Sequence, residues 1–165
     1  MNMNLIASAD LDWGIGCQNE LLYHVRADMV RFRKMTTGNV VVMGRNTFLS
    51  LPGQKPLPNR TNIVLSTDPS FSPEGVTVVR SVDALLDALR CCDDARVFVI
   101  GGGGVYRALL PLCDRAYITR FYAKKPADTF LPDLDADDDW RLAERSVLHE
   151  QDGLGYTFDL YERTR

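Results

Sequence analysis

RVFVIGGGGVYRALLPL, residues Arg96 to Leu112, decides the fold class. Arg96 to Ile100 is rich in β-branched and apolar side chains and reads as a strand buried on both faces. Four glycines follow, Gly101 to Gly104, and Val105 to Leu112 then reads as a helix. Strand, glycines, helix is the order in which backbone N–H groups and a helix N-terminus hold a pyrophosphate. The spacing is not the dinucleotide fingerprint G-x-G-x-x-G, whose last glycine would fall on Tyr106. Nor does an acidic residue stand out about 20 positions later for a ribose hydroxyl. As a bare turn, the glycines need no ligand at all.

The same alternation extends upstream. Asn4 to Ala9 reads as a first strand, and Leu11 to Arg26 as a long connection containing Gly14, Gly16 and Asn19. A connection of that length in a compact domain is usually functional. A helix follows and stops near Gly38. Asn39 to Met43 (NVVVM) is a β-branched strand that runs through Gly44, Arg45, Asn46 and Thr47 into a short helix ending at Leu51. Thr61 to Ser66 and Val76 to Arg80 read as strands. Ser81 caps a helix through Leu89, where Val82, Leu85, Leu86 and Leu89 recur at helical spacing. Downstream, Arg115 to Tyr122, Trp140 to His149 and Tyr156 to Glu162 read as strands, with Glu150 to Gly155 a turn-rich connection. Alternation followed by strands alone predicts one α/β domain over residues 1–165, its sheet mainly parallel with an antiparallel edge from the C-terminus.

Composition narrows the function classes. With 45% hydrophobic and 25% charged residues and a net charge of −3, this is an ordinary globular chain with no basic tail for nucleic acid. The first residues, MNMNLIASADLDWG, lack a basic region, and Asp10 and Asp12 break their apolar stretch, so no signal peptide is expected. No run approaches the roughly 18 apolar residues that span a membrane. Cys17, Cys91, Cys92 and Cys113 form no metal or disulfide spacing, which points to a reducing cytoplasm. Asp133 to Glu144 has acids at positions one, three, five and twelve of a calcium loop. Position six, however, is Asp138 where a glycine is required, so the segment reads as a solvated acidic loop and no metal is expected.

Ile15 to Thr36 (IGCQNELLYHVRADMVRFRKMT) carries the acid of interest. On a wheel of about 100° per residue, Phe32, Val25, Thr36 and Met29 all fall within about 100° of Asp28, so the acid sits inside the apolar arc. Arg33, Lys34 and Arg26 lie on the far side, and Arg31 near the edge of that solvated face. A carboxylate among apolar side chains is costly unless something hydrogen-bonds it, which makes Asp28 a ligand-facing acid. The plainer reading is a first-turn acid favouring the helix dipole. Arg45, Thr67 and Arg80 each follow a strand end, the rim where open α/β sheets bind ligands, and suit a 2′-phosphate. Arg60 suits bidentate capture of a carboxylate.

Taken together, these residues resemble the dihydrofolate reductase family. The likeness covers Ile15-Gly16, Leu21, Asp28, Phe32 and Thr36, then Val42 to Phe48, Pro56 to Arg60 and Asn62 to Ser66. It continues through Val99 to Tyr106, Tyr117-Ile118-Thr119, Asp128-Thr129 with Pro132, and Phe158 to Arg163, nearly end to end. The resemblance implies a mostly parallel eight-stranded sheet with about four flanking helices, and hydride transfer from NADPH to 7,8-dihydrofolate. It implies Asp28 on the pterin, supported by Thr119. Ile6, Ala7, Leu21, Phe32, Leu51 and Leu57 would line the substrate, Arg60 would take its carboxylate, and Ile100 and Tyr106 would lie where the two ligands meet. For the cofactor it implies Ala7, Ile15, Gly16, Gly44, Arg45, Asn46, Thr47, Leu65, Ser66, Thr67 and Arg80, with Gly102, Gly103, Gly104, Val105 and Tyr106. It also implies a cis Gly101–Gly102 peptide, a lid over Gly14 to Tyr23, antifolate binding and a monomer. Leu22-Tyr23 stand where the family usually has Pro-Trp, Arg26 replaces a second proline, and Gly104 replaces a basic residue. Tyr23 is expected to keep the aromatic wall and position a water. The rival readings are a related pterin or pyrimidine reductase and a non-catalytic nucleotide-binding protein.

Overall fold

The structure, a computed structural model, describes residues 3–92 and 95–164. The elements are β1 (Met3–Ala9), β2 (Gly14–Cys17), β3 (Glu20–Leu21), α1 (Arg26–Thr36), β4 (Val40–Gly44), α2 (Arg45–Ser50), β5 (Thr61–Leu65), β6 (Thr77–Val79), α3 (Val82–Leu89), β7 (Val97–Gly101), α4 (Gly103–Leu109), β8 (Arg115–Phe121), β9 (Thr129–Phe130), β10 (Trp140–Arg145), β11 (His149–Gln151) and β12 (Leu154–Arg163). The main sheet runs β10-β12-β8-β1-β7-β4-β5-β6, with short β11 pairing β12. Pairings from β8 across to β6 are parallel, and those of β12 are antiparallel. This is the expected mixed sheet. Its antiparallel end is built more fully than a single edge strand, because β12 lies inside β10 and β11.

Burial explains the order. Val40, Val41, Val42 and Met43 of β4 and Val97, Phe98 and Val99 of β7 are at most 2% exposed, as central strands covered on both faces must be. Burying each such side chain contributes about 1.5–3 kcal/mol. Ser81 caps α3 by accepting from the Ala84 N–H at 3.0 Å. Val25 offers α1 no side-chain cap. Without a proline at the first helical position, the Arg26 N–H donates instead to Gln151 Oε1 at 3.0 Å.

Two sequence readings change. The connection from Leu11 to Arg26 contains the β2–β3 hairpin, which joins β9 in a small second sheet. The strand expected over Trp140 to His149 breaks after Arg145, where Ser146 bonds Phe158 through both its N–H and its Oγ. Val147 and Leu148 then leave the ladder, and pairing resumes with β11, so the turn expected over Glu150 to Gly155 narrows to Asp152 and Gly153.

Asp159 pins the antiparallel end. Its buried carboxylate accepts from Arg145 Nε and Nη2, both at 3.0 Å, and from Thr157 Oγ1 at 2.8 Å. Asp159→Ala is expected to lower unfolding free energy by about 2–3 kcal/mol, the cost of losing charge-assisted bonds to a half-exposed arginine, measured by urea titration.

Candidate active site

The C-terminal ends of β1, β4, β5 and β7 share one rim, and a cleft opens there in two adjoining lobes of about 1120 and 750 Å³. Ala7, Leu21, Thr47, Ile100 and Tyr106 line both lobes and so mark their junction. Tyr106 is fixed there by its hydroxyl, which donates to the Ile6 carbonyl at 2.8 Å. Burial pushes that phenol's pKa up, so it stays a neutral donor.

Glycines shape the larger lobe. Gly101 has φ +135°, a region that side chains rarely enter, and a Cβ there would lie 3.2 Å from Thr47 Oγ1. The Gly101–Gly102 peptide is cis, as the family resemblance implied. A Cβ on Gly44 would lie 3.0 Å from Val105 Cγ2, so β4 and α4 pack closely at a position without a side chain. Gly104 faces open space. Arg45, Asn46 and Thr47 at the start of α2, with Leu65 at the end of β5 and Ser66 and Thr67 just beyond it, form the opposite wall. Arg45, which is exposed, reaches the partly exposed Asp68 at 3.7 Å. Ile15 and Gly16 cover the lobe from the β2–β3 hairpin. That hairpin is tied down by Asp128, which accepts from the Gln18 N–H at 2.8 Å, and by Asn19 Nδ2 donating to the Asn46 carbonyl at 3.2 Å.

Asp28 looks into the smaller lobe from the first turn of α1. Thr119 Oγ1, on β8, donates to its Oδ1 at 2.6 Å. Burial raises the Asp28 pKa, and the Thr119 bond and the charge of Arg31 oppose that rise. Around it stand Ile6, Phe32, Leu51 and Leu57, with Arg60 at the far end. Arg60 is aimed by Nη1 donating to Thr36 Oγ1 at 3.0 Å and Nε donating to the Pro58 carbonyl at 2.9 Å. A partly desolvated acid at one end, a preset guanidinium at the other and apolar walls between suit a flat heterocycle with a carboxylate tail.

The dihydrofolate reductase family model matches residues 2–163 of this chain. The chain belongs to the dihydrofolate reductase family. Among relatives, dihydrofolate reductase type 3 of Salmonella typhimurium is 38% identical over 165 residues, covering 100% of this chain and 99% of that protein. Dihydrofolate reductase of Bacillus subtilis (strain 168) is 36% identical over 163 residues, 98% of this chain and 94% of that protein. A solved dihydrofolate reductase from Enterococcus faecalis, complexed with NADP(H) and RAB-propyl, superposes with TM-score 0.84 at 33% identity. That match covers 99% of this chain and 97% of the other.

Three residues that family likeness would put at the site stand outside the lining of the cleft. Tyr23 packs its ring 5.1 Å from Phe121, with Lys125 Nζ 4.4 Å from its centroid, so it joins the core behind α1 and walls neither lobe. Arg80 spends its guanidinium on the carbonyls of Ser66, Asp68 and Phe71. It braces the loop that carries Thr67 and does not line the cofactor-sized lobe. Thr119 also lies outside the lining and acts through Asp28. The sequence reading missed Arg107 in the larger lobe and Met29, Val30 and Arg33 in the smaller. Helical spacing from Asp28 was the available signal for Met29, which stays 54% exposed at the mouth.

Proposed function

We infer that the chain reduces 7,8-dihydrofolate to 5,6,7,8-tetrahydrofolate with NADPH. The observation that carries the reading is the Asp28–Thr119 pair, set in a lobe that opens directly onto the glycine-lined one. The larger lobe fits the cofactor on its own geometry. Gly101 to Gly104 leave that stretch of its lining free of side chains, a Cβ on Gly104 would still meet open space, and Arg45 and Thr67 offer a cation and a hydroxyl. Gly102, Gly103, Gly104 and Val105 would face the pyrophosphate, and Arg45, Asn46, Thr47, Ser66 and Thr67 the 2′-phosphate end. Arg80 would contribute by holding that loop. NADPH, when bound, supplies the hydride.

The chain's own residues do the rest. Asp28, ionised, accepts two hydrogen bonds from the pterin's 2-amino group and adjacent ring nitrogen, which orients the ring. Thr119 keeps the carboxylate turned to that ring. Holding the ring by this edge raises the basicity of its imine nitrogen, which takes its proton through water while the adjacent carbon accepts the hydride. Ile100 and Tyr106 set the junction, and the Ile15–Leu21 hairpin excludes bulk water. Arg60 takes the carboxylate of the glutamate tail. Arg60→Leu is expected to raise KM for dihydrofolate about 10- to 100-fold, with little change in kcat, because a charge-assisted bond contributes about 1.5–3 kcal/mol. Steady-state kinetics on dihydrofolate and on a carboxylate-free dihydropterin test this, since only the former should respond.

A non-catalytic nucleotide binder would need the larger lobe alone, and neither Asp28 nor Arg60 serves that task. We read the enzyme as a monomer of a reducing cytoplasm, open to antifolates that offer Asp28 the same paired donors. Its four cysteines are free, and among the described residues no helix is long and apolar enough to cross a membrane.

A further inference from the structure

Arg31 is half-buried, although helical periodicity places this residue at the edge of the solvated face. Its Cζ lies 4.3 Å from the centroid of the Phe158 ring, a cation–π seat. Phe158 is the direct cross-strand partner of Thr119 in the β8–β12 register. Thr119 in turn donates to Asp28. Arg31 also follows Asp28 by three residues, so the two side chains are neighbours on one flank of α1. Two independent routes, one along the helix and one across the sheet, therefore place this cation on the flank of α1 that carries the carboxylate, near it but not in an ion pair within 4 Å.

We propose that Arg31 is a positioning residue for Asp28, its charge held on Phe158 so that the acid stays ionised and able to accept the pterin's paired donors. The proposal rests on the reading of Asp28 as the pterin-holding acid.

Few groups compete for either charge. Asp28 faces Arg31 on its own helix, the uncharged Thr119 hydroxyl from β8, and the Tyr106 phenol from α4, whose proton is committed to the Ile6 carbonyl. Arg31 faces Asp28, the Tyr117 phenol of β8 and Asp159 of β12. Asp159 is already bound by both nitrogens of the Arg145 fork. Asp28 is thus the acid left for Arg31 to stabilise. A protonated Asp28 has one acceptor oxygen fewer to offer, so loss of the cation narrows the acid side of the pH range in which substrate is held.

The test follows the Asp28 carboxyl directly by carbon NMR titration of aspartate-labelled protein, beside the pH dependence of KM and kcat. Arg31→Gln is expected to move the Asp28 midpoint upward by about half to one pH unit. The acid-side rise in KM should move with it, with kcat at neutral pH altered less. Arg31→Lys restores the charge and should retain less than half of that shift. An unmoved midpoint in Arg31→Gln, or an equal shift in Arg31→Lys, overturns the proposal. If the midpoint shifts but wild type lacks dihydrofolate-dependent activity, the charge pairing stands and the assigned reaction fails.

Discussion

Asp28→Asn is expected to lower dihydrofolate-dependent NADPH oxidation by about 10²- to 10⁴-fold near neutral pH, the range that a positioned acid–base group contributes. The substitution keeps an oxygen for the Thr119 hydroxyl, so the 2.6 Å bond has a successor and the local packing survives. What is lost is the second acceptor and the negative charge that raises the basicity of the imine nitrogen. Activity should recover in part as pH falls, because the substrate then arrives already protonated. Stability should move the other way. Burial raises the folded-state pKa of Asp28 above its unfolded value. The folded state therefore binds the proton more tightly, and wild-type stability declines as pH rises from the unfolded through the folded pKa. Asparagine does not titrate, so the variant is expected to gain stability over wild type above that window and to lose the advantage below it. Urea titrations at several pH values, run beside the pH–rate profiles, test both halves. A variant both less active and less stable at every pH would mean that Asp28 serves packing.

Gly101→Val should have the second-largest effect. At φ +135°, a β-branched residue is strained by about 1–3 kcal/mol, and its Cβ would lie 3.2 Å from Thr47 Oγ1. The Thr47 hydroxyl must give by a few tenths of an ångström, and relieving the backbone strain shifts the end of β7, which carries part of the larger lobe. NADPH affinity is expected to fall at least about 100-fold, consistent with losing some 2.7 kcal/mol of binding. Fluorescence titration of the nucleotide measures it. Gly153→Ala, also at positive φ but outside both lobes and with nothing within 4 Å of its Cβ, is the matched control and should leave affinity within about threefold.

Much of this architecture was legible in the residues. Val40 to Met43 and Val97 to Ile100 announce central strands because β-branched and apolar side chains fill both faces, and the glycine run after them fixes where the cleft must open. Asp28 was visible as an acid inside an apolar arc. The small sheet of β2, β3 and β9 was not, because strands of two to four residues are too short to show alternation. Tyr23 and Arg80 stand outside the cleft lining for a shared reason. Spacing places their backbones at the site, whereas Phe121 and the carbonyls of Ser66 and Phe71 decide where their side chains go. Arg31 shows the reverse: a wheel leaves it at the edge of the solvated face, and Phe158, far along the chain, draws it in. Thr119 carried no signal of its own until β8 brought it to α1.

The most direct test of the central claim is the fall in the near-ultraviolet absorbance of NADPH, recorded with and without dihydrofolate. The two-lobed site predicts oxidation only when dihydrofolate is present, with tetrahydrofolate formed in equal amount. NADPH that binds and stays reduced in the presence of dihydrofolate would contradict it, and would leave the glycine-lined lobe serving a nucleotide-binding protein or a reductase for another heterocycle.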